Sequence, residues 1–451
     1  MQQIDTDVLI IGGGPAAMVA ASTAREEYPA KSIMMVKKEE VGMVPCGIPY
    51  VFGTTLGSSD KNAMACGGPL SESIDILVDE VTAVDIDGKC VTTNERRIFF
   101  DKLVFATGSV PFVHRSFEGA VSLENVFVLS KEKARIDALK AYLEGCRRVI
   151  VVGTGFIGVE MATELRSDGK EVTIVGGRHI LAGSFDSDMA VEAETIMRGM
   201  GIEMALGQHA QQVTEAEAKA SGVMLCDGSV IEGDVIILAT GYRPNTELAA
   251  AAGLKLARYG GIWVDEYMRT RNKDIFAVGD CCGRRDFITR DPSKVMLAST
   301  SAAEARVAGC SLFGLRHLKG FNGTIAIFST MIGDRAFACA GVTEARAQEE
   351  QIDCVTGTFT GMNRHPGTIP GASKQSVKLI ALRSSGQIIG GQVVGDREAG
   401  EIINIIGLAI EAELTAHQLM SLQIATQPLL TPAPTTYPII KAAQQIVLGH
   451  C

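Results

Sequence analysis

Short aliphatic runs, each closed by small residues, recur along the first two thirds of the chain. Residues 7–11 form one such run, Gly12-Gly13-Gly14-Pro15-Ala16-Ala17 follows it, and a helical pattern continues over 16–27. Residues 32–36 are the next aliphatic run. Strand, glycine turn, helix and strand in that order predict a βαβ unit. Residues 102–108 predict a further strand that ends in the small-residue turn Ala106-Thr107-Gly108. The plan then repeats. Residues 148–152 lead into Gly153-Thr154-Gly155-Phe156-Ile157-Gly158, a helix to about Arg166, a strand at 171–175, and the run 235–241. An internal repeat of this kind says more than either copy alone. A third short strand, 274–278, ends in Gly279-Asp280. From about Thr324 the pattern changes to alternating strands at 324–328, 376–382 and 388–394 with a long apolar helix at 400–413, which reads as a separate α+β domain.

Composition supports this division. A chain of 451 residues has room for about three domains. It is 46% hydrophobic and 21% charged, as globular proteins are, and its 49 glycines and 5% aromatics suit parallel sheets with tight turns. The net charge is −10 and no basic tract occurs, which argues against a nucleic-acid surface. The eleven cysteines are scattered, odd in number and without a C-x-x-C, so neither a disulfide framework nor a metal site is encoded. No basic leader and no apolar run of about 18 residues is present, so no signal peptide or membrane span is expected and the compartment is expected to be cytoplasmic.

Gly12-x-Gly14-x-x-Ala17 stands between a strand and a helix, where a dinucleotide fingerprint must stand. Gly12 makes the tight turn, Gly14 lets a diphosphate approach the backbone, and Ala17 lets helix and strand pack; the helix start offers free amides to the phosphates. Gly153-x-Gly155-x-x-Gly158 repeats the arrangement, so two dinucleotides are expected. Strand 172–175 ends in Gly176-Gly177-Arg178-His179, with no acid until Asp186. Without a carboxylate for the ribose hydroxyls, and with Arg178 to pair a 2′-phosphate, NADPH is expected to serve at least as well as NADH. Cys46 lies in Val44-Pro45-Cys46-Gly47-Ile48-Pro49-Tyr50 and has no cysteine partner nearby. Cys281 and Cys282 read as packed thiols beside Asp280, and Cys451 is a terminal thiol.

These motifs resemble the pyridine nucleotide-disulfide oxidoreductase family over nearly the whole chain, including Ala239-Thr240-Gly241-Tyr242-Arg243-Pro244-Asn245 and Ala277-Val278-Gly279-Asp280. The resemblance implies an α/β fold with two Rossmann-like domains, one for FAD (1–115 and 245–323) and one for NAD(P)H (116–244). It also implies a C-terminal α+β dimerisation domain (324–451). It places FAD at Gly12, Gly14, Pro15 and Ala17, with the Asp280 carboxylate on the ribityl chain, and counts Thr107, Gly108, Gly241 and Gly279 as cofactor-binding without dividing them between the two dinucleotides. NAD(P)H falls to Gly153, Gly155, Phe156, Ile157, Gly158 and Arg178, with Phe156 as a gate over the flavin and Glu160 on the helix face that approaches the flavin. The acid that holds the adenosine ribose in the family is missing. Lys37-Lys38 follow the second strand, and Glu39 is the nearest carboxylate.

Cys46 without a partner resembles the single-cysteine branch: coenzyme A-disulfide reductases, NADH oxidases and peroxidases, and polysulfide or persulfide reductases. The resemblance implies hydride transfer from NAD(P)H to FAD, then reduction of a mixed disulfide, persulfide or oxidised form of Cys46. It further implies a low-molecular-weight disulfide, polysulfide or persulfide substrate and a homodimer with no nucleic acid or membrane partner. Dioxygen or peroxide is the alternative acceptor, and an iron–sulfur protein the alternative partner. The His and Glu of the two-cysteine reductases are replaced by Gln427 and Pro432, which leaves Tyr437 as the nearest phenol of the partner subunit. His365-Pro366-Gly367 resembles a channel segment of the coenzyme A-disulfide branch, with Thr368 and Ile369 in place of its tyrosines.

Overall fold

The strand Gln2–Ile11 is central in the first sheet, with Ile33–Lys37 on one side and Arg96–Phe105 on the other, both parallel to it. The structure is a computed structural model and describes residues 1–64, 73–316 and 320–449. Cys66 and Cys451 lie outside the described residues, and with them the terminal thiol singled out in the sequence. The chain divides into two units: 1–118, 128–145 and 240–324 form the first, and 119–127, 146–239 and 325–451 the second. Residues 128–145, inside the stretch 116–244, thus pack with the first unit.

In the first unit the sheet is buried on both faces, which explains why its strands read as unbroken aliphatic runs. Val8, Ile10, Ile33, Met35, Val104 and Phe276 point to one face, where the helices Pro15–Glu27 and Ala298–Ser311 cover them. Leu9, Ile11, Met34, Val36, Leu103 and Phe105 fill the other. Those two helices meet through small residues: a Cβ at Gly309 would lie 2.7 Å from that of Thr23. Ile275–Ala277 joins the sheet beside Arg96–Phe105, also parallel, and its end delivers Gly279 and Asp280.

In the second unit Arg148–Val152 lies between Glu171–Gly176 and Val235–Leu238, again in parallel. The C-terminal part is an antiparallel sheet in the order Phe328–Ile332, Arg335–Gly341, Ile388–Gly395, Lys374–Leu382, Cys354–Met362. The helices Ala399–Glu411 and Pro438–Leu448 pack on it closely: a Cβ at Gly357 would meet the Ala442 carbonyl at 2.2 Å. The strand expected at 324–328 instead begins at Phe328, because Ala326 adopts φ +58° and interrupts the extended chain. Among the described residues no helix is long and apolar enough to cross a membrane.

Candidate active site

The first glycine turn has the shape that a diphosphate requires. Gly12 sits at φ +133°, and a Cβ there would lie 2.1 Å from the Ala106 carbonyl oxygen, so only glycine lets the two loops touch. Gly14 caps the helix and has nothing within 4 Å of a Cβ position, which leaves the approach to the backbone open. Pro15 occupies the first helical turn, no acid follows it there, and Gly14 offers no side-chain cap, so the helix start is left to an anion. Ala17 is fully buried against the sheet. Gly108 (φ +69°) and Gly241 (φ +99°) also have open Cβ positions. Thr107, between Ala106 and Gly108, donates its hydroxyl to the Asn245 carbonyl at 2.6 Å.

Asp280 is set behind this cradle. Its carboxylate accepts from Ser109 Oγ at 2.8 Å and from Lys131 Nζ at 3.1 Å. Burial disfavours its charged form, but Lys131 and Arg284 more than compensate, and the carboxyl is held below the usual aspartate range. It lines a cavity of about 390 Å³ with Phe112, Tyr242, Tyr259, Arg284 and Lys294. Tyr242 donates to the Leu129 carbonyl, and burial beside Asp280 pushes its phenol up to about 12. An open glycine cradle, an anion-ready helix start and an ionised carboxylate on a cavity fit a flavin dinucleotide: diphosphate at the turn, hydroxyls at Asp280. Glu39 is exposed. The strand end that carries an acid in the family holds Lys37, which is buried and donates to the Glu40 carbonyl at 2.8 Å.

Cys46 belongs to the same unit and is exposed, in the middle of the one-turn helix Pro45–Gly47. Pro45 and Pro49 each start a short helix, so two fixed φ angles bracket the thiol. The loop passes close to the cradle: a Cβ at Gly42 would lie 3.5 Å from the Gly13 carbonyl oxygen. Sequence motifs do not reveal Asn62, which is 4% exposed and donates to the Val44 carbonyl at 3.0 Å. Its side-chain oxygen would be 1.9 Å from a Cβ at Gly47, so the residue after Cys46 has to be glycine. The helix Lys133–Glu144 holds the rest of the loop through Lys140 to the Val51 carbonyl and Ser59 to Asp137. Cys281 and Cys282 are buried free thiols, and burial raises both above the usual thiol range, so they are poor nucleophiles.

The second cradle repeats the first. Gly153 has φ +127° with its Cβ position 2.3 Å from the Ala239 carbonyl, Gly155 is open, and a Cβ at Gly158 would lie 1.9 Å from the Gly153 carbonyl. Phe156 and half-buried Ile157 begin the helix Phe156–Ser167. Phe156 stacks face to face on Phe328, centroids 4.7 Å apart, and Glu160 accepts from Thr330 Oγ1 at 2.7 Å. Residues four apart on the helix thus meet residues two apart on the strand, a match of periods that local motifs cannot show. Arg178 is exposed, with the Glu349 carboxylate 3.6 Å away. Gly176 takes φ +127°, so an acid at that position would be strained, whatever space surrounds it.

In the C-terminal domain Tyr437 is 8% exposed, borders a cavity of about 170 Å³ with Arg364, Glu398 and Leu430, and has a phenol raised by burial. His365 is half-buried, with Nδ1 2.9 Å from the Thr431 carbonyl oxygen. Among the described residues no His, Cys, Asp and Glu group is placed to hold a metal.

Comparison with known proteins agrees with this geometry. Residues 6–305 match the pyridine nucleotide-disulphide oxidoreductases, and residues 327–438 match their dimerisation domain. The chain is 33% identical over 434 residues to an NADH oxidase of Methanocaldococcus jannaschii, covering 93% of this chain and 94% of that one. It is 32% identical to an NAD(P)H coenzyme A polysulfide/persulfide reductase of Pyrococcus horikoshii, covering 86% and 87%. Among solved structures, an NAD-dependent persulfide reductase from A. fulgidus superposes with a TM-score of 0.90 at 29% identity, covering 98% of this chain and 83% of that one.

Proposed function

The chain belongs to the pyridine nucleotide-disulphide oxidoreductase family, and from that membership we propose that it reduces a low-molecular-weight disulfide, polysulfide or persulfide at Cys46. It is an FAD-dependent NAD(P)H oxidoreductase. The observation that carries the reading is an exposed thiol, bracketed by prolines, on a loop that passes the dinucleotide cradle.

When bound, FAD accepts hydride from NAD(P)H and makes the electron pair available for sulfur. Gly12, Gly14 and the helix start at Pro15 would hold its diphosphate, and Asp280 would accept from its hydroxyls. The Cys46 sulfur attacks one sulfur of the substrate R–S–S–R′, so that a Cys46–S–S–R bond forms and R′–S⁻ leaves. Two electrons and a proton then cleave that bond to RSH and the Cys46 thiolate. The sum is NAD(P)H, one proton and one disulfide in, NAD(P)⁺ and two thiols out. No second cysteine is needed, which fits Gln427 and Pro432 standing where the two-cysteine enzymes keep an acid–base pair. The relative named NADH oxidase favours dioxygen as a second acceptor. The test is turnover of the purified protein with each acceptor in turn.

Coenzyme choice follows from Gly176 and Arg178. With glycine required at the strand end and a cation two residues on, the wild type is expected to use NADPH at least as well as NADH. Arg178→Ala is expected to lower kcat/KM for NADPH several-fold and leave NADH within twofold. A tenfold wild-type preference for NADH, about 1.4 kcal/mol, would contradict this.

We also propose a homodimer. The domain matched as a dimerisation domain exposes Ile405 and Leu408 on one helix face and Leu429 and Leu430 on a loop, the last 67% accessible. Light scattering is expected to give twice the chain mass. A fully active monomer would rule out a site shared between subunits, and with it a role for Tyr437. A reducing cytoplasm is the compartment expected for chemistry at Cys46, because it keeps a working thiol reduced.

A further inference from the structure

Beside Asp280 lies a buried charge pair that neither the glycine motifs nor the thiol chemistry uses. Glu304, on the helix Ala298–Ser311, is fully buried, and the Arg284 side chain is 3% exposed. Arg284 Nη2 donates to Glu304 Oε2 at 3.2 Å, and Nε lies 3.1 Å from Oε1 as an ion pair without hydrogen-bond geometry. Taking two charges out of water is costly, and well-packed apolar residues commonly stabilise a fold as well. Stability alone therefore does not account for the pair.

Its other contacts do. Glu304 Oε2 accepts the Gly279 backbone N–H at 2.9 Å and the Cys282 thiol at 3.4 Å. Arg284 Nη2 donates to the Gly279 carbonyl at 2.5 Å, and Nη1 donates to the Val295 carbonyl at 2.9 Å. Both backbone polar groups of Gly279 are thus held by one ion pair. Gly279 has no side chain of its own to fix it: it sits at φ +78°, where a Cβ would lie 2.8 Å from that of Ala16 in the first cradle helix, so only its backbone groups can be held. Asp280 is the next residue, and its carboxylate, Arg284 and Cys282 line the same cavity.

We infer that Arg284 and Glu304 are positioning residues of the flavin site: they clamp Gly279 from both sides and so aim the Asp280 carboxylate at the hydroxyls it binds. The inference rests on the FAD reading above. Its distinguishing mark is that Glu304 acts through Asp280, so the two residues cannot contribute independently.

The experiment titrates FAD-stripped protein with FAD, by flavin fluorescence, in wild type, Glu304→Gln, Asp280→Asn and the double variant. Glu304→Gln is expected to weaken FAD binding at least tenfold in the wild-type background and less than twofold in the Asp280→Asn background. Wild-type affinity in Glu304→Gln, or the same fold-loss in both backgrounds, would overturn the inference and leave the pair a role in folding alone. Should Glu304→Gln not fold, Arg284→Lys is read in the same cycle, since one ammonium cannot serve both the Gly279 and Val295 carbonyls as the guanidinium fork does. Failure of the wild type itself to take up FAD would defeat the flavoprotein reading instead, and that result is distinct from a variant that binds normally.

Discussion

Cys46→Ser is expected to keep its FAD, to be reduced by NAD(P)H at the wild-type rate, and to lose at least 10³-fold in turnover with disulfide or polysulfide. The loss is a matter of chemistry at one atom. An alcohol is far less nucleophilic than a thiolate near neutral pH, and an oxygen–sulfur adduct cannot cycle as a disulfide does. A 10³-fold loss is about 4 kcal/mol of transition-state stabilisation, more than any packing effect of an exposed, near-isosteric exchange. The two thiols next to Asp280 offer no substitute. Cys281 and Cys282 are buried and titrate high, and Cys282 is already engaged with Glu304. Wild-type turnover in the variant, measured with the flavin content checked by absorbance, would take the chemistry away from Cys46.

Gly12→Ala is the second large effect, and it acts on the cofactor. The new methyl would have to share space with the Ala106 carbonyl, 2.1 Å away, at a φ of +133° that an alanine rarely adopts. Strain of that kind costs about 1–3 kcal/mol, and the clash with backbone adds to it. Because strands Gln2–Ile11 and Arg96–Phe105 are locked in register on either side of the contact, relief comes from opening the turn. With the turn as the proposed diphosphate cradle, FAD affinity is expected to fall more than 100-fold and the protein to purify colourless. Gly14→Ala, at an open Cβ position with ordinary φ, is expected to fold normally, which separates cradle geometry from fold stability in the same titration.

The parts of this site that were legible in the sequence are those fixed by neighbours along the chain. A glycine turn between an aliphatic run and a helix can be read locally, because the turn, the φ it demands and the helix start all lie within six residues. Cys46 is legible for the same reason, as a thiol between two prolines with no second cysteine within five residues along the chain. Asn62, Glu304 and Phe328 were not, since each acts across a large sequence separation on a partner that carries no motif. Gly176 shows the intermediate case. The absence of an acid there could be read from the sequence, but its cause, a backbone at φ +127°, could not. The strand expected at 324–328 failed because one positive φ at Ala326 leaves no compositional trace. Lys37 gives a similar lesson: its charge is plain in the sequence, whereas its burial against the glycine turn depends on tertiary packing.

Rapid-mixing spectroscopy on the intact holoenzyme decides whether Cys46 carries electrons from the flavin to sulfur. The enzyme would be reduced anaerobically with one equivalent of NADPH, or of NADH in a parallel series. It would then be mixed with a polysulfide, a low-molecular-weight disulfide, peroxide or air-saturated buffer while flavin absorbance is followed. Reoxidation by polysulfide or disulfide faster than by air in the wild type, and lost in Cys46→Ser, is the predicted result. Reoxidation by air or peroxide at least as fast as by any sulfur compound, and equally fast in Cys46→Ser, would contradict it.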